Sequence, residues 1–228
     1  MKAMIEYEDL SEKVYRSIKT MILEGELEPG EKLRQEELAL RLGISRTPLA
    51  AAFSKLEKEM LVELLPRRGA RVRTLSSEEL LDLYEIRMRL EPLGAFEAAQ
   101  VLAGARPSPI DPDEGRRRLE EALARYRTAV ATEKAPTIKL ADYDFHLAIV
   151  ELSGNEPLRR LITSSNIVFI SNQRGLLKAA GVSLAEHEAL VAAIAEGAPD
   201  RAEAVMEAHL AGARVSLAKR VAEEGGAP

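Results

Sequence analysis

The sequence contains three histidines, His146, His187 and His209, and all of them lie in its second half. Asp142 precedes His146 by four residues in a segment that we predict to be helical, so the two side chains share one helix face. This spacing suits two ligands of one metal ion. One carboxylate and three imidazoles fit Zn, Ni, Mn, Fe or Co, with one or two coordination positions open. Spacing across separate helices leaves open the alternative that the three histidines are unrelated.

Other metal and nucleophile chemistries are excluded or disfavoured. The chain has no cysteine, which excludes disulfides, thiolate zinc sites and cysteine nucleophiles. His187-Glu188 begins like a zinc-protease motif, but Val191 occupies the position of the second histidine. A metalloenzyme acting on a bound acid needs a general base near the metal. Asp144, Glu186 and Glu188 turn away from the ligand faces, so we identify no base and expect no enzyme.

The composition indicates a globular protein of one large or two modest domains. The chain has 228 residues, of which 46% are hydrophobic and 30% charged, enough apolar material for a core. Aromatic residues make up 4% and tryptophan is absent, which disfavours an all-β fold and single-strand recognition on aromatic platforms. There is no signal-peptide core and no apolar run of membrane-spanning length. We therefore expect a cytoplasmic protein without a membrane partner.

Charge is distributed unevenly along the chain. Residues 32–73 carry 10 basic and 5 acidic side chains, whereas residues 76–228 carry 18 basic and 24 acidic ones. A basic block beside an acidic remainder is typical of a nucleic-acid-binding arm attached to a separate body. Chance scatter of solvated charges is the alternative, and composition alone does not decide between them.

The N-terminal part is predicted to be a helix-turn-helix followed by a hairpin. Apolar periodicity predicts helices at about 10–24, 35–42 and 46–60. Gly43 is suited to a left-handed C-cap and Ser45 to an N-cap, so the last two helices are joined by a tight turn. Residues 61–73 read as two strands around a basic turn, which would form a wing.

Basic and hydroxyl side chains of these segments are the candidate DNA contacts. The outward face of the third helix and the wing would meet base edges and phosphates. A small helical domain with an ordinary charged face is the alternative. The candidate DNA-binding residues of these two kinds are Arg34, Ser45, Arg46, Thr47, Lys55, Arg67 and Arg68.

Four ordered segments, 27–33, 37–39, 42–49 and 64–72, resemble the winged helix-turn-helix of the GntR family of bacterial transcription regulators. The resemblance covers residues 9–73. It implies that Arg46 contacts DNA and that the wing tip at Arg68 and Gly69 enters the minor groove. In two places the sequence departs from the family pattern. Ala50 stands where the family has a DNA-contacting arginine, and Met60 stands where it usually has a glycine.

The remainder is predicted to be all-helical. A Ser76–Glu79 capping box opens a helix that runs to about residue 101 and is expected to kink at Pro92. A proline-rich loop follows at 106–115. Further helices are predicted at about 116–133, 138–153, 157–174, 184–196 and 200–221. The predicted fold class is mainly α, with an N-terminal winged helix-turn-helix domain and a C-terminal all-α helical bundle.

Segments of this second part resemble the FCD effector domain of the FadR subfamily, over residues 76–221. They are Glu85–Arg87 with Leu90-Glu91, Asp142–His146, Gly154–Leu158, His187–Leu190 and His209-Leu210. The resemblance implies that Asp142, His146, His187 and His209 bind a divalent metal ion, for which we expect Zn, Ni or Mn. It also implies a small organic acid whose carboxylate completes the coordination of the metal.

Two further residues are candidates for contacting that acid. Arg87 could pair with a carboxylate through its guanidinium, or instead form an ion pair with Asp82, Glu85 or Glu91. Asn166 is a polar residue in an otherwise apolar helix, and it could bind the acid or a metal-bound water. It could equally satisfy a buried backbone group.

Together these features predict a ligand-responsive transcription regulator. We expect a homodimer that binds a near-palindromic operator in double-stranded DNA and responds to a small carboxylate effector. The alternatives are a metal-dependent enzyme acting on a small organic acid and a regulator whose metal is purely structural.

Overall fold

The computed structural model describes residues 10–66, 68–171 and 175–225. Its internal contacts divide the chain into two compact units. The first unit ends at Thr74 and also includes Ser164–Asn166, and the second unit comprises the remainder from Leu75 onward. The predicted fold class, mainly α with a small winged domain, is confirmed.

The first unit consists of helices and a small antiparallel sheet in the order β1-β3-β2. Its elements are α1 (Leu10–Leu23), β1 (Lys32–Leu33), α2 (Gln35–Leu42), α3 (Arg46–Lys58), β2 (Val62–Leu65) and β3 (Gly69–Val72). The sequence analysis did not predict β1, because two residues are too short to show a periodicity. Lys32 lies opposite Arg71 and Leu33 opposite Ala70 in this pairing.

The turn between α2 and α3 follows from Gly43. This residue adopts a φ of 65°, and its N–H donates to the Leu40 carbonyl oxygen at 3.2 Å. Ser45 is the N-cap residue of α3, as predicted, and its backbone is extended, but its hydroxyl makes no capping hydrogen bond. α1 packs across α3, and apolar residues such as Ile18 and Phe53 are buried in this core.

Met60 adopts a left-handed conformation directly after α3. Its φ is 59°, in the region that glycine adopts without strain. For a residue with a Cβ this conformation costs about 1–2 kcal/mol. The departure from the family glycine at this position therefore leaves the backbone path intact and adds local strain.

The second unit is all-helical over its described residues. Its helices are α4 (Ser77–Leu102), α5 (Pro112–Ala131), α6 (Ala135–Leu152), α7 (Glu156–Ser164), α8 (Ile167–Ser171), α9 (Ala180–Ala195) and α10 (Pro199–Gly225). The Ser76–Glu79 capping box is confirmed, with both of its reciprocal hydrogen bonds present. α4 continues through Pro92 to Leu102.

Several predicted helix boundaries are wrong, including the start of α9, which is Ala180 and not residue 184. The single helix predicted at 157–174 is interrupted at Asn166, whose φ of 46° cannot continue a right-handed helix. Residues 172–174 lie outside the described part of the chain. α5 begins at Pro112 rather than at residue 116, because the Asp111 side chain accepts hydrogen bonds from the backbone N–H groups of Asp113 and Glu114.

The core of the second unit lies where α4 packs against α6, α9 and α10. Phe145 and Ile149 of α6, Leu190 and Ile194 of α9, and Leu210 of α10 are all buried in one cluster. These helices therefore hold their neighbouring residues in a fixed arrangement around the centre of the bundle. In the described ranges, none of the helices is both long enough and apolar enough to span a membrane.

We expect Gly69→Ala to destabilise the wing more than Gly43→Ala destabilises the turn. Both glycines have positive φ, so each alanine costs about 1–2 kcal/mol. A Cβ at Gly69 would also lie 2.2 Å from the Leu33 carbonyl oxygen, whereas one at Gly43 meets nothing within 4 Å. The clash adds about 1–3 kcal/mol. Hydrogen exchange of the β1 and β3 amides in both variants measures the difference, and equal losses would contradict the clash.

Candidate functional site

The three histidines converge at the centre of the second unit. His146 lies on α6, His187 on α9 and His209 on α10, and all three side chains are buried. One ring nitrogen from each lies within 4.8 Å of the others. Because the apolar neighbours of each histidine belong to the bundle core, the packing of α6, α9 and α10 sets this arrangement.

Asp142 completes the set of four predicted metal ligands. Its Oδ1 lies 3.9 Å from His146 Nε2 and 3.6 Å from His187 Nε2. It lies one turn before His146 on α6, and it lines the same cavity as His209. The structure thus brings together one carboxylate and three imidazoles that are distant in the sequence.

Two glutamates orient the imidazole rings. Glu91 of α4 lies 2.5 Å from His146 Nδ1, and Glu186 of α9 lies 2.7 Å from His209 Nδ1. A carboxylate at Nδ1 favours the tautomer that carries its proton there and leaves the Nε2 lone pair available. This carboxylate–imidazole arrangement is the usual outer shell of a histidine that binds a metal ion.

Several ring nitrogens at this site have no hydrogen-bond partner among the described residues. They are His146 Nε2 and both nitrogens of His187. Leaving a buried polar atom unsatisfied costs about 1–3 kcal/mol, so a ligand that binds these nitrogens would remove that cost. The donor set of nitrogens and one carboxylate oxygen fits a divalent transition metal.

Burial also favours the form of the histidines that can bind a metal. The pKa of His187 is well below its usual value, first because of burial and then because of charge on His209 and His146. Burial likewise lowers the pKa of His209, against the opposing effect of its hydrogen bond with Glu186. A neutral imidazole is the ligating form.

Arg87 is buried beside this cluster and forms one of the ion pairs considered above. Its Nε donates to Glu91 Oε1 at 2.5 Å, and its Nη1 donates to Ser171 Oγ at 2.8 Å. Burial alone would lower the pKa of Arg87, but attraction to Glu91 outweighs burial and raises it. Arg87 also lines the cavity, so its contact with an acid stays a prediction.

A small cavity of about 40 Å³ is lined by Asp142 and His209. A water needs on the order of 10–15 Å³ on this measure, so the cavity accommodates a few waters or a small polar group. Its polar and aromatic lining includes Tyr84, Arg87, Tyr126, Lys139, Asp142, Lys178, Ser183 and His209.

Four residues at this site were not predicted in their observed roles: Glu91, Glu186, Lys139 and Lys178. Glu91 was named only as a possible ion-pair partner of Arg87, whereas its carboxylate also contacts His146. Glu186 was considered only as a base near His187, whereas its carboxylate contacts His209 on the next helix. No sequence signal marks Lys139 or Lys178, because only the tertiary packing brings them to the cavity.

Asn166 is not among the described residues that line this cavity. It groups with the first unit, and its Nδ2 donates to the Glu59 carbonyl oxygen at 3.2 Å. This is the role of satisfying a buried backbone group that the sequence analysis gave as its alternative. Binding of the acid by Asn166 has no support from this geometry.

The first unit carries a separate groove of about 790 Å³ with a mainly basic lining. Its charged lining residues are Lys32, Arg34, Glu36, Glu37, Arg46, Arg68 and Arg71. Three of the predicted DNA-binding residues therefore surround one groove. Lys32, which lies opposite Arg71 in the pairing of β1 with β3, was not predicted.

Two of these arginines form ion pairs with carboxylates. Arg46 Nη2 lies 2.7 Å from Glu36 Oε1, and Arg34 Nη1 lies 2.8 Å from Glu37 Oε1. All four side chains are more than half exposed. Exposed pairs of this kind contribute about 0–1 kcal/mol, so a phosphate can displace the carboxylate at little cost.

The remaining predicted DNA-binding residues lie in other places. Lys55 is directed to α1, where its Nζ lies 2.5 Å from Glu12 Oε2 and 4.4 Å from the Tyr15 ring centre. Ser45 and Thr47 are exposed on either side of Arg46 at the start of α3. Gly69 shapes the backbone of the wing, and Arg67 lies outside the described residues.

Comparison with known proteins identifies both units. The FCD domain matches residues 82–212, and the gntR family of bacterial regulatory proteins matches residues 10–72. The chain therefore belongs to the GntR family and carries an FCD domain, which is consistent with the FadR subfamily.

The relatives are regulators of transcription. The repressor GlaR of Escherichia coli K12 is 30% identical, over 86% of this chain and 90% of that protein. The uncharacterized regulator YdhC of Bacillus subtilis is 31% identical, over 67% of this chain and 64% of YdhC. The relatives and the fold are those of regulators and not of enzymes, so the expectation of no enzyme is confirmed.

Solved structures share the fold. A GntR regulator from Rhodococcus sp. RHA1 superposes with a TM-score of 0.76 and 24% identity, over 92% of this chain and 97% of that chain. McbR/YncC of E. coli superposes with a TM-score of 0.75 and 20% identity, over 93% of this chain and 98% of that chain.

We expect Arg46→Gln to weaken DNA binding more than Lys55→Gln does. Both variants remove one positive charge, but Arg46 lines the groove, whereas Lys55 is directed to α1. Loss of an arginine contact costs about 1–3 kcal/mol, which is roughly tenfold or more in affinity. Fluorescence anisotropy with a labelled promoter duplex at one salt concentration measures both. Equal losses would show that the groove is not the DNA-binding surface.

Proposed function

We propose that this protein is a ligand-responsive, DNA-binding transcription regulator whose FCD domain binds a divalent metal ion and a small organic acid. Asp142, His146, His187 and His209 hold the metal ion. The acid binds in the adjoining cavity, and its binding changes the affinity of the winged domain for operator DNA. A regulator of this kind acts in the cytoplasm.

The proposal is supported mainly by the convergence of the three imidazoles, in which His146 Nε2 and both nitrogens of His187 have no hydrogen-bond partner among the described residues. Glu91 and Glu186 add to it because they turn the rings so that Nε2 is available. Zn, Ni or Mn fits this mixed nitrogen and oxygen donor set. When bound, the metal supplies a Lewis acid that attracts a carboxylate.

The protein's own residues supply the remaining recognition. Arg87 and Ser171 form a hydrogen-bonded pair at the cavity, and Nη1 and Nη2 of Arg87 each carry two N–H groups. Nη1 donates one hydrogen bond to Ser171 Oγ, and Nη2 donates one to Glu91 Oε2 at 3.3 Å. Arg87 can therefore keep Glu91 in place and still donate to an acid in the cavity.

The charge distribution indicates that the first unit, and not the second, attracts the DNA phosphates. The segment 32–73 carries a net charge of +5, whereas residues 76–228 carry −6. Attraction to DNA phosphates therefore comes from the groove around Arg34, Arg46 and Arg68. A homodimer would place two such grooves on the half-sites of a near-palindromic operator.

A titration of promoter DNA tests this function. We expect binding that weakens steeply with salt and that changes when metal and a carboxylate are added together to the metal-free protein. Absence of binding at low salt would contradict the DNA function. If metal changed thermal stability but neither acid binding nor DNA affinity, the metal would be purely structural.

We expect His187→Phe to abolish tight metal binding. The ring of His187 stacks on Phe145 at a centroid distance of 4.1 Å, so phenylalanine preserves the packing and removes both nitrogens. Isothermal titration with Zn²⁺ should show a loss of affinity beyond roughly 100-fold, more than an outer-shell change produces. The control is Glu188→Gln, which alters an exposed side chain paired with Arg127. Equal Zn²⁺ affinity in the two variants would contradict the site.

We expect Glu186→Gln to weaken the metal site without removing a ligand. Glutamine cannot supply the negative charge that orients His209 through Nδ1. The affinity for Zn²⁺ should fall by about 10–100-fold, with the stoichiometry unchanged. The same titration measures it, and an affinity equal to that of Glu188→Gln would show that Glu186 does not act through His209.

A further inference from the structure

Among the described residues, three cationic side chains line the cavity next to His209, and two of them are neutralised by carboxylates. Arg87 is paired with Glu91. Lys178 Nζ forms an ion pair with Glu186 and also donates to the His209 carbonyl oxygen at 3.0 Å. These two cations are therefore balanced within the protein before any ligand binds.

Lys139 is the third of these cations, and no carboxylate of the described residues forms an ion pair with it. It is half-buried and lies on α6 three residues before Asp142. Burial lowers the pKa of Lys139, and no charged neighbour offsets it. A partly buried ammonium without a counterion is unfavourable, so an anion bound in the cavity would stabilise Lys139.

Among the described lining residues, the net positive charge of the metal-bound site is larger than one carboxylate can neutralise. A divalent metal ion bound by Asp142 and three neutral imidazoles leaves one positive charge. Lys139 adds a second, while the pairs Arg87–Glu91 and Lys178–Glu186 add none. Among the described lining residues the metal-bound site thus carries two positive charges. A monocarboxylate would leave one of them uncompensated in a partly enclosed cavity.

We infer that the effector is a short dicarboxylate, with one carboxylate at the metal ion and the other at Lys139. This inference rests on the proposed metal site. Lys139 and Asp142 lie three residues apart on α6, a rise of about 4.5 Å, and the Lys139 ammonium and the proposed metal ion are two distinct positive centres. Separate centres favour two carboxylates over a single phosphate group. The cavity of about 40 Å³ favours a short chain.

Matched pairs of acids test the inference on Zn²⁺-loaded, full-length protein. Isothermal titration compares malonate with propionate and succinate with butyrate, which have equal numbers of carbon atoms. We expect each dicarboxylate to bind at least tenfold more tightly than its monocarboxylate partner. Lys139→Gln should remove this preference, and Lys139→Arg should retain it. Lys134→Gln, an exposed position at the start of the same helix, should leave it unchanged.

Several outcomes would overturn the inference and leave the proposed function intact. They are equal binding of the matched acids, a preference that persists in Lys139→Gln, and tighter binding of inorganic phosphate than of either dicarboxylate. Failure of the metal site is detected independently by elemental analysis of the unliganded protein after Zn²⁺ loading and dialysis. Retained Zn²⁺ without binding of any dicarboxylate would also overturn the inference.

Discussion

The interior of the second unit is defined by three buried imidazoles whose nitrogens face one another. Each ring comes from a different helix, and each helix is held by apolar residues of the common core. The bundle therefore accepts polar atoms in its interior that the described residues leave unsatisfied. A metal ion would convert this cost into a stabilising link between α6, α9 and α10. Glu91 and Glu186, which contact Nδ1 of His146 and His209, leave Nε2 of each ring available to that metal ion.

Glu91 connects the histidines to the rest of the cavity. One of its oxygens contacts His146 and the other accepts from Arg87, which in turn donates to Ser171 of α8. Burial raises the pKa of Glu91, but attraction to Arg87 and His146 outweighs burial and lowers it, so the carboxylate stays ionised. An acid that binds Arg87 therefore acts on a hydrogen-bonded chain that reaches a metal ligand, α4 and α8. This gives a physical route by which an effector changes helix packing.

Local patterns predicted the local structure well. The reciprocal capping of Ser76 and Glu79 and the left-handed turn at Gly43 follow from residue types at fixed spacings, and both are present. The break at Asn166 was missed, because an apolar stretch of sequence does not reveal one residue with positive φ. At the site, the four metal-ligand candidates followed from residue type and family resemblance. Glu186 and Lys139 were not predicted, since their roles depend on which helices pack together.

X-ray absorption spectroscopy of the zinc-loaded protein reports the atoms around the metal ion. We expect three imidazole nitrogens at about 2.0–2.1 Å together with carboxylate or solvent oxygen. A zinc environment dominated by oxygen, with at most one imidazole, would contradict it. In that case the buried histidines would be a feature of the core and not a sensor.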